Sequence, residues 1–214
     1  MIKDINKKAY HLNESQYYPE KIRKEKIIVG HTYSPDLQLV NGWFTREGGK
    51  YAKVPHFTID KDGKIYQHID PSFYCDFLQK KMIDKESISI LLVNEGWLEN
   101  HGSVYLDWAN REYIGNEGGI ISRKWRDKQY WAPYGEEQML SLNELCLYLT
   151  NKFGIDRNVM DHNVFDKDVV QFKGIIFRSN FLKHYTDISP AFDIDNFKKL
   201  ITKIKKKLIN NETV

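Results

Sequence analysis

Lys26-Ile27-Ile28-Val29-Gly30-His31-Thr32 is a short apolar run that ends on a histidine. A run of this length and composition reads as a strand buried on both faces. The end of such a strand is where a sheet presents side chains to a cleft, so His31 is a candidate functional residue.

Working outward, His56–Asp60 and Lys64–Ile69 alternate apolar and polar residues about Lys61-Asp62-Gly63. The Asp-Gly pair there predicts a hairpin. Ile88–Val93 is nearly continuous in apolar residues and is expected to be a central strand. Around Asn41–Tyr51 a short helix or loop is expected, ended by Gly48-Gly49. Residues 95–133 are rich in Trp, Tyr, Gly and charge and read as an insertion with irregular strands. Met139, Leu142, Leu145, Cys146, Leu149 and Phe153 recur at helical spacing, and Gly154 is a natural stop. Ile194–Ile209 carries Ile194, Phe197, Leu200, Ile201, Ile204 and Leu208 on one face and most of its lysines on the other. Residues 1–25 read as a polar leader packed on the surface through Tyr10, Tyr17 and Tyr18. Strands and helices alternate, so the fold class expected is α/β: one domain over 26–214, with a central mixed β-sheet flanked by helices.

A chain of 214 residues fits one domain, and 41% hydrophobic with 14% aromatic residues is enough for a real core. A net charge of +3 suits contact with an anionic polymer, and equally plain solubility. The lysines of the last segment read as a solvated face near a helix C-terminus, with a patch for a phosphate-bearing polymer as the alternative. Basic and aromatic residues do not interleave as nucleic-acid binding requires, so no nucleic-acid partner is expected. Cys75 and Cys146 are not spaced as a metal pair, and so few cysteines fit synthesis in a reducing compartment. No apolar run is long enough for membrane insertion, and the first 26 residues lack the apolar core of a secretory signal. Cytoplasmic synthesis is therefore expected, with any role outside depending on release by another agent.

His162 follows Arg157-Asn158-Val159-Met160, and Asp187 opens Asp187-Ile188-Ser189-Pro190-Ala191-Phe192. Two imidazoles and one carboxylate suffice to hold a catalytic Zn2+ with a position open for water. Together these stretches resemble the zinc-dependent type-2 N-acetylmuramoyl-L-alanine amidases, a family that includes the peptidoglycan recognition proteins. The resemblance runs from about Gln16 to Leu200. Val54–Gln67 is similar to the family's hairpin, Ser87–Asn94 to its central strand, and Tyr130-Trp131-Ala132-Pro133-Tyr134 with Gln138 to the approach to the long helix of phage-type members. The departures are Leu91, where some members carry a catalytic glutamate; Pro55, where others carry a tyrosine; and Tyr185, where many carry a lysine.

The resemblance implies a peptidoglycan hydrolase that cuts the amide between N-acetylmuramic acid and L-alanine, with zinc held by His31, His162 and Asp187. Asp166 and Asp168 are runners-up for the carboxylate. Zinc polarises a carbonyl and lowers the pKa of its bound water to roughly 7. Glu95, just past the central strand, is the first candidate for the general acid or base, against its bland reading as a loop carboxylate. Lys183 or Arg178 are candidates for stabilising the oxyanion, against ordinary surface cations. Tyr33, His56 and Trp43 are expected to line the groove, while Trp97 and Trp131 either stack on sugars or pack. The implied partner is peptidoglycan, the implied role that of an endolysin of bacteriophage type, and a monomer is expected. The alternative, favoured by Leu91 and Pro55, is a catalytically impaired peptidoglycan-binding module.

Overall fold

The computed structural model describes residues 4–12, 22–46, 53–161, 164–165 and 167–209. The strands are β1 (Ile5–Asn6), β2 (Lys26–His31), β3 (Phe57–Ile59), β4 (Ile65–Gln67), β5 (Ser87–Leu92), β6 (Trp97–Asn100), β7 (Tyr105–Leu106), β8 (Ile121–Trp125), β9 (Lys128–Trp131) and β10 (Gly174–Phe177). The helices are α1 (Gln38–Thr45), α2 (Lys81–Lys85), α3 (Glu136–Phe153), α4 (Arg178–Phe181) and α5 (Ile194–Ile209).

The main sheet has the order β1-β4-β3-β5-β2-β10. Strands β3, β5, β2 and β10 run parallel, and β4 pairs antiparallel with β3. The expected mixed α/β sheet is thus present. All six residues of β2 and of β5 are buried, as their unbroken apolar runs require.

Alternation along β2 sends Ile27 and Val29 to one face and Ile28 to the other. The first face packs on Leu142, Leu145, Cys146 and Leu149 of α3 and on Phe197 and Ile201 of α5. On the opposite face, Ile28 and Ile176 meet Leu78, Ile83 and Phe181, and Leu91 meets Val40 and Trp43 of α1. Each buried aliphatic side chain contributes roughly 1.5–3 kcal/mol.

Helix α3 ends where expected: Gly154 adopts φ 65° and its N–H returns to the Thr150 carbonyl. Such left-handed backbone favours glycine. The β3–β4 hairpin closes through the Asp60 N–H to the Lys64 carbonyl at 2.9 Å. Residues 95–133 supply the second, antiparallel sheet, β7-β6-β9-β8, with Leu98, Tyr113 and Ala132 at its core.

The structure refines the sequence reading at three points. The leader contributes an edge strand, Ile5–Asn6 beside Ile65–Tyr66, and buries Leu12, because β4 would otherwise leave an open edge. Helix α1 begins at Gln38 rather than Asn41. The strand that completes the sheet beside β2 is Gly174–Phe177, while Val159, in the run before His162, makes only a single bridge to Ile175. Tyr17, Tyr18, Gly48 and Gly49 lie outside the described residues. Among the described residues, no helix is long and apolar enough to cross a membrane.

Candidate active-site cleft

Strand β10 pairs with β2 as far as Phe177 opposite Val29. Beyond that point two side chains take over the ladder. The His31 backbone N–H donates to Asp187 Oδ2 at 3.1 Å, and Arg178 Nη2 donates to the His31 carbonyl at 2.7 Å. Arg178 Nε also donates to Asp187 Oδ2 at 2.6 Å. The period of two puts Arg178, next after Phe177, on the same face as Gly30 and its neighbour Leu91. Gly30 must be glycine here, since a Cβ would overlap Asp187 Oδ2.

The ion pair is buried, with Asp187 wholly covered and the Arg178 side chain 11% exposed. The Tyr33 hydroxyl donates to Asp187 Oδ1 at 3.0 Å, so both carboxylate oxygens are engaged. The Arg178 guanidinium lies over the Tyr185 ring, 4.4 Å from its centre. Burial works against its charge, but Asp187, Tyr33 and Tyr185 together outweigh it and hold the pKa above the usual guanidinium value. Burial, reinforced by Asp187, pushes the Tyr33 hydroxyl up, so it stays a protonated donor.

His31 is fully buried. Its Nδ1 meets the Tyr134 hydroxyl at 2.8 Å, and Nε2 has no hydrogen-bond partner. A Cβ on Gly96 would lie 2.7 Å from Nε2, and the Tyr33 ring meets the imidazole edge-on at 4.3 Å. Burial lowers the imidazole pKa to about 4, with Asp187 opposing and Arg178 adding to the shift, so the ring is neutral at pH 7.

A cavity of about 490 Å³ opens here, walled by His31, Tyr33, Trp43, Leu91, Arg178 and Tyr185, with Arg46, Lys53 and Arg111 adding positive charge. A shallower hollow of about 380 Å³ adjoins it between Tyr33, Trp97, Trp108 and Tyr185. Trp108 is 55% exposed and its indole N–H donates to the Tyr33 carbonyl at 2.6 Å. Arg178 directly follows the parallel strand β10, His31 ends its neighbour β2, and the cavity lies outside those ends, the usual ligand position in sheets of this kind.

The other expected site residues distribute as follows. Tyr33 and Trp43 do line the cavity. His56 does not: it is buried beside β5, with Nδ1 on Ser89 Oγ at 2.9 Å and Nε2 on the Phe73 carbonyl at 3.1 Å. Glu95 is neither in this cavity nor a surface carboxylate. It is 4% exposed, pairs with Lys61 Nζ at 2.6 Å, and faces a separate hollow with Asp107 and Tyr113. Lys183 is exposed and sits over the Phe165 ring, 4.7 Å from its centre, away from the cleft. Trp131 is core, its indole N–H donating to the Arg123 carbonyl at 2.7 Å. Trp97 carries Lys128 Nζ on its face at 3.2 Å. His162 and Asp166 lie outside the described residues, and of Asp168 only the backbone is described.

Sequence reasoning weighed Arg178 only as a surface cation or oxyanion donor, whereas it is the buried partner of Asp187. The signal was present in Gly174-Ile175-Ile176-Phe177-Arg178, an apolar run ending on a charged residue, like Ile27-Ile28-Val29-Gly30-His31.

The residues described do not fit a zinc ion held by His31 and Asp187. Both Asp187 oxygens already accept from a cation, a hydroxyl and an amide. Among the described residues, the open His31 nitrogen faces the Gly96 backbone and the Tyr33 ring and no second ligand. Among the described residues, no group of three His, Cys, Asp or Glu side chains is placed to hold a metal.

The family model for N-acetylmuramoyl-L-alanine amidases matches residues 20–174. The match includes His31 and ends before Arg178 and Asp187. A search of curated protein sequences finds no match. The fold is similar to that of the N-acetylmuramoyl-L-alanine amidase LysC from Clostridium intestinale URNW, at 14% identity, covering 95% of this chain and 98% of that one with a TM-score of 0.56. It is also similar to a mutant endolysin from Bacillus subtilis, at 12% identity, 94% and 99% coverage and a TM-score of 0.55. A third likeness is to the amidase AmiD from E. coli, solved in complex with an anhydro-N-acetylmuramic acid peptide substrate, at 13% identity, 86% and 60% coverage and a TM-score of 0.54. With most of its length matched by the family model, the chain belongs to the N-acetylmuramoyl-L-alanine amidases, the peptidoglycan amidases.

Proposed function

We propose that the chain seats the junction between N-acetylmuramic acid and L-alanine of peptidoglycan in the cavity beside His31, and acts there on the amide bond. The observation that carries this is the cavity itself, at the C-terminal ends of parallel strands, with an aromatic wall and a cationic rim. Aromatic faces suit a sugar, and positive charge suits the carboxylates of a peptide stem. Zinc is the usual cofactor of the family; of the expected cage of His31, His162 and Asp187, the carboxylate is paired with Arg178 and His162 lies outside the described residues. An endolysin role, with synthesis as a monomer inside the cell and action on the wall after release, accompanies this reading. Its support is the fold shared with endolysins.

A second reading is binding of peptidoglycan without cleavage. The Arg178–Asp187 pair favours it, because the carboxylate is already neutralised. Incubation of purified protein with peptidoglycan separates the two. Release of new L-alanine amino termini supports amide cleavage, and sedimentation with the wall without release supports the binding module. Protein that neither releases amino groups nor sediments with the wall contradicts both.

A further inference from the structure

The cleft has a fixed positive charge of its own. Arg178 Nε and Nη2 are spent on Asp187 and the His31 carbonyl, and the guanidinium still forms part of the cavity wall. A guanidinium carries five donors in a rigid plane, so two bonds leave others for a ligand. Tyr185 and Phe77 lie under the group at 4.4 and 5.5 Å and hold its plane. Asp187, Tyr33 and the β2 backbone fix its inner edge.

From this geometry we infer that Arg178 stands in for the divalent ion: it neutralises Asp187 and offers its outer N–H donors to a carbonyl or carboxylate oxygen of the muramoyl peptide, so ligand binding in this cleft is independent of metal. The electrostatics agree. Asp187 and Arg178 sum to zero charge, and a divalent ion brought to Asp187 would meet a buried guanidinium at contact range, where little solvent screens the repulsion. A metal could bind there only by displacing the guanidinium from Asp187 and the His31 carbonyl. The ligand half of this inference rests on peptidoglycan being the ligand; the metal half does not.

The test has a metal arm and a ligand arm. In the first, protein purified without chelator is dialysed against zinc and its metal content measured, with His31→Ala as the control. The expected result is no stoichiometric zinc and a melting temperature unmoved by zinc or chelator. One equivalent of zinc that His31→Ala loses would overturn the inference. In the second, N-acetylmuramoyl-L-alanyl-D-isoglutamine is titrated calorimetrically into protein with and without chelator, and into Arg178→Lys, whose fold is checked by circular dichroism. The lysine keeps the charge but not the planar fork. Affinity unchanged by chelator and at least tenfold weaker in a folded Arg178→Lys is expected. Affinity lost with chelator, or unchanged in Arg178→Lys, would overturn it. Should the wild type not bind the probe at all, the peptidoglycan reading fails, and the metal arm alone decides whether Arg178 replaces the ion.

Discussion

Gly30 and Asp187 are packed so closely that the carboxylate occupies the space a Cβ on Gly30 would need. This one contact lets a side chain from the loop after α4 reach the backbone of β2.

Gly30→Ala should therefore displace Asp187 and break its bonds to the His31 N–H and to Arg178. The expected loss is about 2–4 kcal/mol, typical of overpacking combined with a disrupted buried network. Chemical denaturation with an unchanged slope would measure it, and a loss under about 0.5 kcal/mol, the range of ordinary surface substitutions, would show the contact to be unimportant.

Removing Arg178 while keeping Asp187 should cost more than removing the charge from both. Arg178→Met leaves a buried carboxylate without its cation, at about 3–5 kcal/mol. Adding Asp187→Asn to that variant should recover part of the loss. Additive losses in the two single variants and their combination would argue against a coupled pair.

Stability should fall as pH drops from about 6.5 towards 4. Burial lowers the pKa of His31 and His68 to about 4 and of His56 to about 3, from an ordinary 6.5. Each depressed imidazole binds its proton more readily in the unfolded chain, so its contribution is present above 6.5 and is lost on acidification, on the order of 3 kcal/mol apiece. Asp84 opposes this over part of the range, since burial raises its pKa to about 6 and the folded state takes up that proton first. Three groups outweigh one, so the melting temperature should decline through this window. A flat or rising profile would contradict the burial of these imidazoles.

The two thiols should be inert in the native protein. Burial pushes Cys75 up to about 12 and raises Cys146 as well, so neither forms thiolate at neutral pH. A disulfide-exchange reagent should label both only at the rate of unfolding. Rapid labelling of either would place it at an accessible surface.

Much of the architecture was legible because it follows from periodicity. The apolar runs at 26–31 and 87–92, the Asp-Gly hairpin, and the helix closed by Gly154 are local patterns with local causes. His31 and Tyr33 at the cleft followed from the end of β2, and Trp43 from the expectation of an aromatic for a sugar face. What did not follow depends on contacts far apart in the chain. Arg178 looks like any cation until β10 is placed beside β2, and Glu95 looks exposed until Lys61 and the insertion close over it. His56 lies on the face that Ser89 and Leu91 share, but it sits opposite Ser89, two residues short of Leu91 and the cleft, where Ser89 and Phe73 take up both ring nitrogens.

The most direct test of the cleft assignment is the indole N–H spectrum of 15N-labelled protein titrated with N-acetylmuramoyl-L-alanyl-D-isoglutamine. Trp108, on the cavity wall and bonded to the Tyr33 carbonyl, should shift saturably, while Trp131, buried at the end of β9 in the second sheet, should not move. A titration that leaves Trp108 still, or that moves Trp131 alone, would contradict the placing of the muramoyl peptide beside His31 and Arg178.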